Sequence, residues 1–301
     1  MVELQKEIES LKKQHNAVIL AHNYQLDEVQ AVADHVGDSF HLSKIAADTD
    51  SDVIVFCGVR FMAETAKILS PGKVVLLPEI DAGCPLADTI TGEDVRDLKE
   101  RYPGAPVVCY INSSADVKAE CDVCCTSSNA VKIVSSLPDR KIIFVPDENL
   151  GDYVAKQLPD KELILWQGCC VTHAKVKPSD VDQVRDKYPG AQILVHPECA
   201  PAVVEMADFV GSTSEIIRYA EASDAEVLII GTELGVLSKL KASRPEKQFF
   251  LLHTGLVCPN MKKTRIQSVY ESLLKKQYEI KVDEAVAQEA KRSLTRMLEL
   301  A

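Results

Sequence analysis

Three of the ten cysteines in this 301-residue chain recur at nearly equal spacing, which suggests a shared chemical task. Cys84 and Cys170 are 86 residues apart, and Cys170 and Cys258 are 88 apart. Three thiolates without a fourth equivalent suit an iron–sulfur cluster that leaves one iron open. Zinc held by the three cysteines, with His173 or water as the fourth ligand, is the competing metal site. Three buried thiols without a metal are the third interpretation.

Polar residues repeat with the same spacing of 86 to 88 residues. One set ends the first predicted strand of each repeat, a second follows two residues later, and a third lies just before a helix. These sets are His22, Tyr110 and His196; Tyr24, Asn112 and Glu198; and Ser39, Ser127 and Thr213. Glu198 is the only carboxylate among them and is therefore the candidate general base. Tyrosine hydroxyls can relay protons or hydrogen-bond an oxyanion. Hydroxyls at helix N-termini either bind an anion or only cap the helix.

The remaining cysteines break this spacing. Cys57 and Cys109 lie in apolar, strand-like segments, and we interpret them as small buried hydrophobic residues. A single C-x-x-C pattern, from Cys121 to Cys124, is a weak signal for metal or redox chemistry. We interpret the others as neighbours of the site or as unrelated to it: Cys121, Cys124, Cys125, Cys169 and Cys199.

The elements that must position these residues repeat as well. Apolar strand-like segments at 52–56, 141–145 and 226–230 alternate with helical segments. This alternation predicts an α/β protein with parallel sheets covered by helices on both faces. We predict three αβα units of about four strands each, related by a pseudo-threefold axis, over residues 1–103, 104–189 and 190–274. Helices near residues 3–14 and within 275–301 are expected to pack on the first unit. One large doubly wound sheet is the alternative.

Ligands of parallel α/β sheets bind outside the carboxyl ends of the strands. The three polar sets and the three cysteines all follow predicted strands, so we expect them to meet in one cavity at the common centre of the three units.

Composition narrows the function classes. The chain has 34 Lys+Arg against 45 Asp+Glu, a formal net charge of −11, which argues against nucleic-acid binding through a basic surface. The longest apolar segments are strand-sized, and the N-terminal residues are charged, so we expect neither a membrane span nor a signal peptide. We therefore expect a cytoplasmic protein, in which the ten cysteines are free, catalytic or metal-binding and do not form disulfides. No glycine-rich phosphate-binding motif is present.

Nine segments, in order along almost the whole chain, carry a resemblance to the quinolinate synthase family, the A proteins of NAD biosynthesis. They are Ala21–Gln25, Gly37–Ser39, Phe61–Lys67, Tyr110–Asn112, Thr126–Ala130, Gly168–His173, His196–Cys199, Gly211–Thr213 and Cys258–Lys262. No single segment is specific for this family, but the nine segments together are.

The resemblance implies a [4Fe-4S] cluster held by Cys84, Cys170 and Cys258, with an open iron that acts as a Lewis acid. It implies condensation of iminoaspartate with dihydroxyacetone phosphate to give quinolinate, phosphate and water. It also implies catalytic roles for Glu198, His22, Tyr24 and Tyr110. The substrate contacts that it implies are His22, Ser39, Tyr110, Ile111, Asn112, Ser127, His196, Pro197, Glu198 and Thr213.

The chain departs from the family pattern at two places, neither of which is a predicted ligand. It lacks the C-x-x-C-x-x-C element that some members carry near the last ligand, and it has Thr172 where many members have an aliphatic residue. Coupling to an aspartate oxidase or dehydrogenase is expected, because one of these must supply iminoaspartate. The alternatives are an aconitase-type hydro-lyase and a non-catalytic iron–sulfur redox sensor.

Overall fold

A computed structural model describes residues 2–301, and within that range it contains three four-stranded parallel sheets. The first has β1 (Ala17–His22), β2 (His35–Gly37), β3 (Val53–Cys57) and β4 (Val74–Leu76). The second has β5 (Val107–Tyr110), β6 (Val123–Cys125), β7 (Lys141–Val145) and β8 (Glu162–Leu165). The third has β9 (Gln192–Val195), β10 (Phe209–Val210), β11 (Val227–Gly231) and β12 (Gln248–Leu251). The strand orders β2-β1-β3-β4, β6-β5-β7-β8 and β10-β9-β11-β12 are equivalent, which confirms the predicted fold class.

Helices flank each sheet. Those before or within the first sheet's segment are α1 (Val2–His15), α2 (Asp27–Gln30), α3 (Ser39–Asp48) and α4 (Arg60–Leu69), followed by a 3-10 turn (Ala87–Thr89) and α5 (Gly92–Arg101). The next are α6 (Ala115–Ala119), α7 (Ala130–Ser136), α8 (Glu148–Gln157), a 3-10 turn (His173–Lys175) and α9 (Pro178–Lys187). The last are α10 (Pro201–Val204), α11 (Thr213–Ala222), α12 (Val236–Ser243), α13 (Ile266–Lys275) and α14 (Glu284–Leu300). Strand β3 is buried along its whole length, as expected for a sheet covered on both faces.

An aspartate just before the second strand sets the register of each sheet. Its carboxylate accepts a hydrogen bond from a backbone N–H of the first strand, at 2.7–2.8 Å in all three units. The donor–acceptor pairs are Ile19 and Asp34, Val107 and Asp122, and Ile193 and Asp208. The same device at spacings of 88 and 86 residues supports one structural unit repeated three times.

The helices that link the repeats do not pack where the predicted boundaries place them. Helices α5, α9 and α13 begin at Gly92, Pro178 and Ile266. Helix α5 packs on the second unit, α9 on the third and α13 on the first. Helix α13, within the predicted third unit, therefore packs on α1, α2 and β3 of the first. Val269 and Leu273 are buried there, in the same hydrophobic cluster as Ile8 of α1 and Val29 of α2.

The C-terminal helix corrects a second expectation. Helix α14 was expected on the first unit, but it packs chiefly on α6, β6 and α7 of the second and touches the first through α4. Its buried face, formed by Ala290, Leu294 and Met297, joins the hydrophobic cluster that spans these two units. The N-terminal helix α1 packs on β1 and α13, in the first unit. In residues 2–301, every helix is too short or too polar to cross a bilayer.

Candidate active site

A cavity lies between the three units at the carboxyl ends of their strands. It holds about 900 Å³ of space not filled by protein atoms, part of it open to solvent. Twelve of the predicted residues line it: His22, Tyr24, Ser39, Cys84, Tyr110, Asn112, Ser127, Cys170, His196, Glu198, Thr213 and Cys258. Two predicted contacts, Ile111 and Pro197, are buried outside the lining. The sequence repeat thus brings together all twelve residues that it aligned.

Two histidines occupy equivalent positions with the same local geometry. The backbone N–H of Tyr24 donates to Nδ1 of His22 at 3.1 Å, and that of Glu198 donates to Nδ1 of His196 at 3.2 Å. Because an accepting nitrogen carries no proton, each neutral ring presents an N–H at Nε2. Burial lowers the pKa of His22 to about 4 and that of His196 to about 3, so both rings are neutral donors at neutral pH.

Glu198 is buried among hydrogen-bond donors. Its Oε2 lies 2.6 Å from Nδ1 of His173, and its Oε1 accepts a 3.3 Å hydrogen bond from Nδ2 of Asn112. Burial raises the pKa of this carboxyl, but His196, His173 and the Tyr110 hydroxyl outweigh burial and lower it to about 2. Glu198 is therefore an ionised proton acceptor in the centre of the cavity.

A chain of hydrogen bonds connects Tyr24 to Glu198. The Tyr24 hydroxyl lies 2.7 Å from Oγ1 of both Thr213 and Thr232, and Thr232 lies 3.0 Å from Nε2 of His173. Since Nδ1 of His173 donates to Glu198, its Nε2 accepts from Thr232, which fixes the direction of the whole chain. Burial and the charge of Glu198 raise the pKa of Tyr24, so its hydroxyl stays protonated.

The hydroxyls of Ser39 and Thr213, the first residues of α3 and α11, do not cap these helices. The cap of α3 is Asp38, which accepts from the His41 N–H, and the cap of α11 is Ser212. Ser39 and Thr213 are the first helical residues, so their hydroxyls and the helix N-termini face the cavity. The Thr213 hydroxyl lies 2.7 Å from the Tyr24 hydroxyl. The third member of the set, Ser127, lies in the loop before α7 and meets Nε2 of His196 at 3.2 Å.

The three cavity cysteines, Cys84, Cys170 and Cys258, follow the fourth strand of each unit and are free, half-buried thiols. Burial comes first among the causes that raise the pKa of each, to about 12 for Cys84. Nearby carboxylates, Glu198 for Cys84 and Cys170 and Glu233 for Cys258, raise it further.

Three side chains of the cavity could hold a metal ion together. Among the described residues, the one set of three donor atoms within 4.8 Å of one another is Cys170, His173 and Glu198. Cys84 and Cys258 line the same cavity. His173 is engaged by Glu198 and lies 3.3 Å from Cys170 Sγ.

Two buried carboxylates that sequence reasoning missed hold the cysteine loops. Oδ2 of Asp147 accepts the Cys170 N–H at 3.2 Å, and Oε1 of Glu233 accepts the Cys258 N–H at 3.1 Å. Both carboxylates are fully buried and follow the third strand of their sheet by two residues. Asp147 and Glu233 are 86 residues apart, so the spacing of the repeats could have revealed them. The first unit has Val59 at the equivalent position, which interrupts the set.

Glu233 also ties the third unit to the first. Its Oε2 pairs with Lys262 Nζ at 3.0 Å, and the same ammonium donates to the backbone carbonyl of Tyr24. Gly235 is required beside them, since a Cβ there would meet the Asn23 carbonyl oxygen at 2.4 Å. Lys262 does not line the cavity, and none of the described lining residues is a lysine or arginine. An anion in the cavity would therefore meet imidazoles, hydroxyls and helix N-termini.

Comparison with known proteins gives one consistent result. Residues 6–299 match the family described as Quinolinate synthetase A protein. The chain is 60% identical over 298 residues to the quinolinate synthase of Caldicellulosiruptor saccharolyticus, covering 99% of this chain and 98% of that protein. It is 59% identical to the quinolinate synthase of Alkaliphilus metalliredigens, over 98% and 97% of the two chains. It is 52% identical to that of Thermodesulfovibrio yellowstonii over the same shares.

Proposed function

This chain belongs to the quinolinate synthase family, and we propose that it condenses iminoaspartate with dihydroxyacetone phosphate to give quinolinate, phosphate and water. The observation that carries this proposal is the single cavity in which twelve repeat-related residues meet. Both substrates are anions, and a cavity lined mainly by neutral donors, with Asp38 and Glu198 as its two carboxylates, suits them.

The cavity cysteines would hold a [4Fe-4S] cluster. When bound, such a cluster with one iron free of protein ligands supplies a Lewis acid for oxygen or nitrogen groups. The equivalent placement of Cys84, Cys170 and Cys258 and the carboxylates that fix two of their loops support this assignment.

The residues around the cavity divide into binding and proton-transfer groups. Ser39, Ser127 and Thr213 bind substrate carboxylates, two of them at helix N-termini, where backbone N–H groups and the helix dipole favour negative charge. The Nε2–H group of His22 donates to a further substrate oxygen, whereas that of His196 donates to Ser127 Oγ and leaves the Ser127 hydroxyl proton for the substrate. Asn112 donates to Glu198 while its Oδ1 is buried without a partner, so it is free to accept an imine or amine N–H.

Glu198 acts as the general base, because it is ionised, buried and in the centre of the cavity. Tyr24 and Tyr110 keep their protons and donate them to leaving or developing oxygen anions. The hydrogen-bonded chain through Thr232 and His173 runs from Tyr24 toward Glu198, so it holds the Tyr24 hydroxyl in a fixed position relative to the base. Ile111 and Pro197 stay predicted substrate contacts that would act through their backbone.

One experiment tests this function. Protein purified without oxygen is assayed for iron and sulfide, and then for phosphate release and quinolinate formation from iminoaspartate plus dihydroxyacetone phosphate. About four irons per chain together with both products is the expected result. Dehydration of a hydroxy acid without use of dihydroxyacetone phosphate would indicate the hydro-lyase instead. Reversible reduction with no turnover would indicate the redox sensor, and bound zinc would contradict the cluster. Cytoplasmic location and coupling to an aspartate oxidase or dehydrogenase stay predictions.

A further inference from the structure

The backbone carbonyl of Glu198 is held by a side chain from another unit. Nδ2 of Asn149 donates a hydrogen bond to this carbonyl oxygen at 3.0 Å. Asn149 lies in α8 of the second unit and is 8% exposed, whereas Glu198 follows β9 of the third unit and is 3% exposed. No backbone N–H within residues 2–301 donates to the same carbonyl. Asn149 therefore supplies the partner that a buried carbonyl needs.

The turn that carries Asn149 is fixed to the loop of Cys170. Asp147, the residue that caps α8, accepts the Cys170 N–H at 3.2 Å. The N–H of Glu148, the first residue of the helix, donates to the Gly168 carbonyl at 2.7 Å. Because hydrogen bonds to the Cys170 loop hold both residues before Asn149, its amide is a fixed anchor for the third unit.

The carboxylate of Glu198 is held by the same part of the second unit. Its Oε2 lies 2.6 Å from Nδ1 of His173, three residues beyond Cys170. The main chain of Glu198 is thus anchored by Asn149 and its side chain by His173. Because a long side chain on a mobile backbone cannot keep one position, the two anchors together place the carboxylate in the cavity.

The equivalent residue of the first unit, Tyr24, is held in the same way. Tyr24 precedes Glu198 by two repeats. The Lys262 ammonium donates to the Tyr24 carbonyl and pairs with Glu233. The other oxygen of Glu233 accepts the Cys258 N–H. In both places, a polar side chain linked to a cysteine loop holds the carbonyl of a residue that lines the cavity from a different unit. Two unrelated side chains make this contact at equivalent carbonyls, which indicates that the contact serves the position of the residue it holds.

We propose that Asn149 is a positioning residue that fixes the general base Glu198 from outside the cavity. This role rests on the base function proposed for Glu198, and it requires no contact with substrate, since Asn149 does not line the cavity. Without the Asn149 amide, the Glu198 carbonyl loses its partner, and the 196–199 loop shifts to reach water or another donor. A displacement of about 1 Å in a catalytic group can lower a rate by about 100-fold. Ser39 and Thr213 bind substrate from other loops, so binding should change much less than turnover.

Kinetics of matched variants test this role. Asn149→Leu keeps a side chain of similar size and removes the donor, so kcat should fall about 10- to 100-fold while KM changes less than about threefold. Gln157→Ala, at the exposed end of α8, is the control and should match the parent. In Glu198→Gln, whose base is already lost, adding Asn149→Leu should lower the single-turnover rate less than about threefold, because the two residues act as one unit. Full multiplication of the two effects, or an unchanged kcat in Asn149→Leu, would overturn the proposal.

Hydrogen exchange gives a readout that does not depend on turnover. In holoprotein prepared without oxygen, Asn149→Leu should speed exchange at the Glu198 and Cys199 amides at least about tenfold, while residues 22–26 exchange as in the parent. Equal exchange at Glu198 and Cys199 in variant and parent would show that Asn149 does not hold the loop. If the leucine variant does not fold, Asn149→Ser, whose side chain is too short to reach the carbonyl, gives the same comparison. A parent protein that forms no quinolinate would contradict the proposed function instead, and exchange would still decide whether Asn149 holds the loop.

Discussion

The cavity cysteines differ in their surroundings from a second group, Cys109, Cys121 and Cys124, which lies between β5, β6 and α14 and which we call the buried thiol cluster. The cavity cysteines face the carboxylates of Glu198 and Glu233, which raise their pKa values together with burial. In the buried thiol cluster, burial raises the pKa of Cys109, but the Cys121 and Cys124 thiols and, after them, the charge of Lys118 lower this pKa against the effect of burial. Thiols that stay protonated until a metal displaces the proton suit a metal site, and the cavity cysteines are of this kind.

The largest effect expected from this difference is on the amount of iron bound per chain. Replacing Cys84, Cys170 or Cys258 singly by alanine should remove most bound iron and reduce quinolinate formation to background, because each supplies a thiolate ligand in the proposed cluster site. Cys121→Ala is the matched control from the buried thiol cluster and should keep its iron. Counting iron and sulfide per chain measures this. Equal iron loss in Cys121→Ala would show that the two groups are not functionally separate.

The next effect concerns the carboxylate that faces the cavity cysteines. Glu198→Gln should reduce kcat by about 10² to 10⁴, the range for a lost general base, while iron content stays normal. Its size is nearly unchanged, so the contacts with His173 and Asn112 are altered without opening a cavity. Glu205→Gln, at an exposed carboxylate of α10's C-terminal end, is the control and should be as active as the parent. A near-normal kcat in Glu198→Gln would exclude Glu198 as the base.

The carboxylates behind the cavity cysteines should matter for stability and for retention of the metal. Asp147→Asn turns one acceptor into a donor opposite a backbone N–H, at a cost of about 1–3 kcal/mol in the free energy of unfolding. Glu233→Gln should cost more, because it also leaves the Lys262 ammonium without its ion-pair partner. Urea unfolding of metal-free protein gives the free energies, and the rate of iron loss to a chelator gives the retention.

Asp139→Asn, at a half-buried loop position between α7 and β7, is the control for both measurements. If Asp147→Asn and Glu233→Gln released iron no faster than this control, the carboxylates would stabilise the loops without any effect on the site.

Sequence reasoning found the parts of the molecule that keep one residue type across the repeats. The cavity cysteines, the His22 and His196 pair and the hydroxyls of the helix N-termini all recur in register, so spacing alone brought them together. It missed Asp147 and Glu233 because Val59 interrupts their set, and Thr232 because nothing in its spacing distinguishes it from a core residue. The positions of α13 and α14 depend on which apolar faces other helices leave open, which is a tertiary property that the repeat does not encode.

The smallest expected effect is a change in the free energy of unfolding, without a change in kcat, at the helix α14 that covers the buried thiol cluster. Ser293 of α14 donates to the carbonyls of Lys118 and Ala290 and contacts Cys124 Sγ, so it fixes the helix over the cluster. Ser293→Ala removes these contacts, worth about 0.5–1.5 kcal/mol each, but gains a few tenths of a kcal/mol from helix propensity. We expect a net loss of about 1 kcal/mol in the free energy of unfolding and unchanged kcat.

Ser272→Ala in α13 is the matched control with the opposite sign. Ser272 is fully buried, and its hydroxyl has no hydrogen-bond partner among the described residues. Removing an unsatisfied buried hydroxyl and improving helix propensity should stabilise the protein by about 1 kcal/mol. Urea midpoints of the two variants, measured together, compare a hydroxyl that makes bonds with one that makes none. Because both changes delete the same atom from a buried helix face, equal shifts would mean that the contacts of Ser293 with the buried thiol cluster contribute nothing to holding α14 in place.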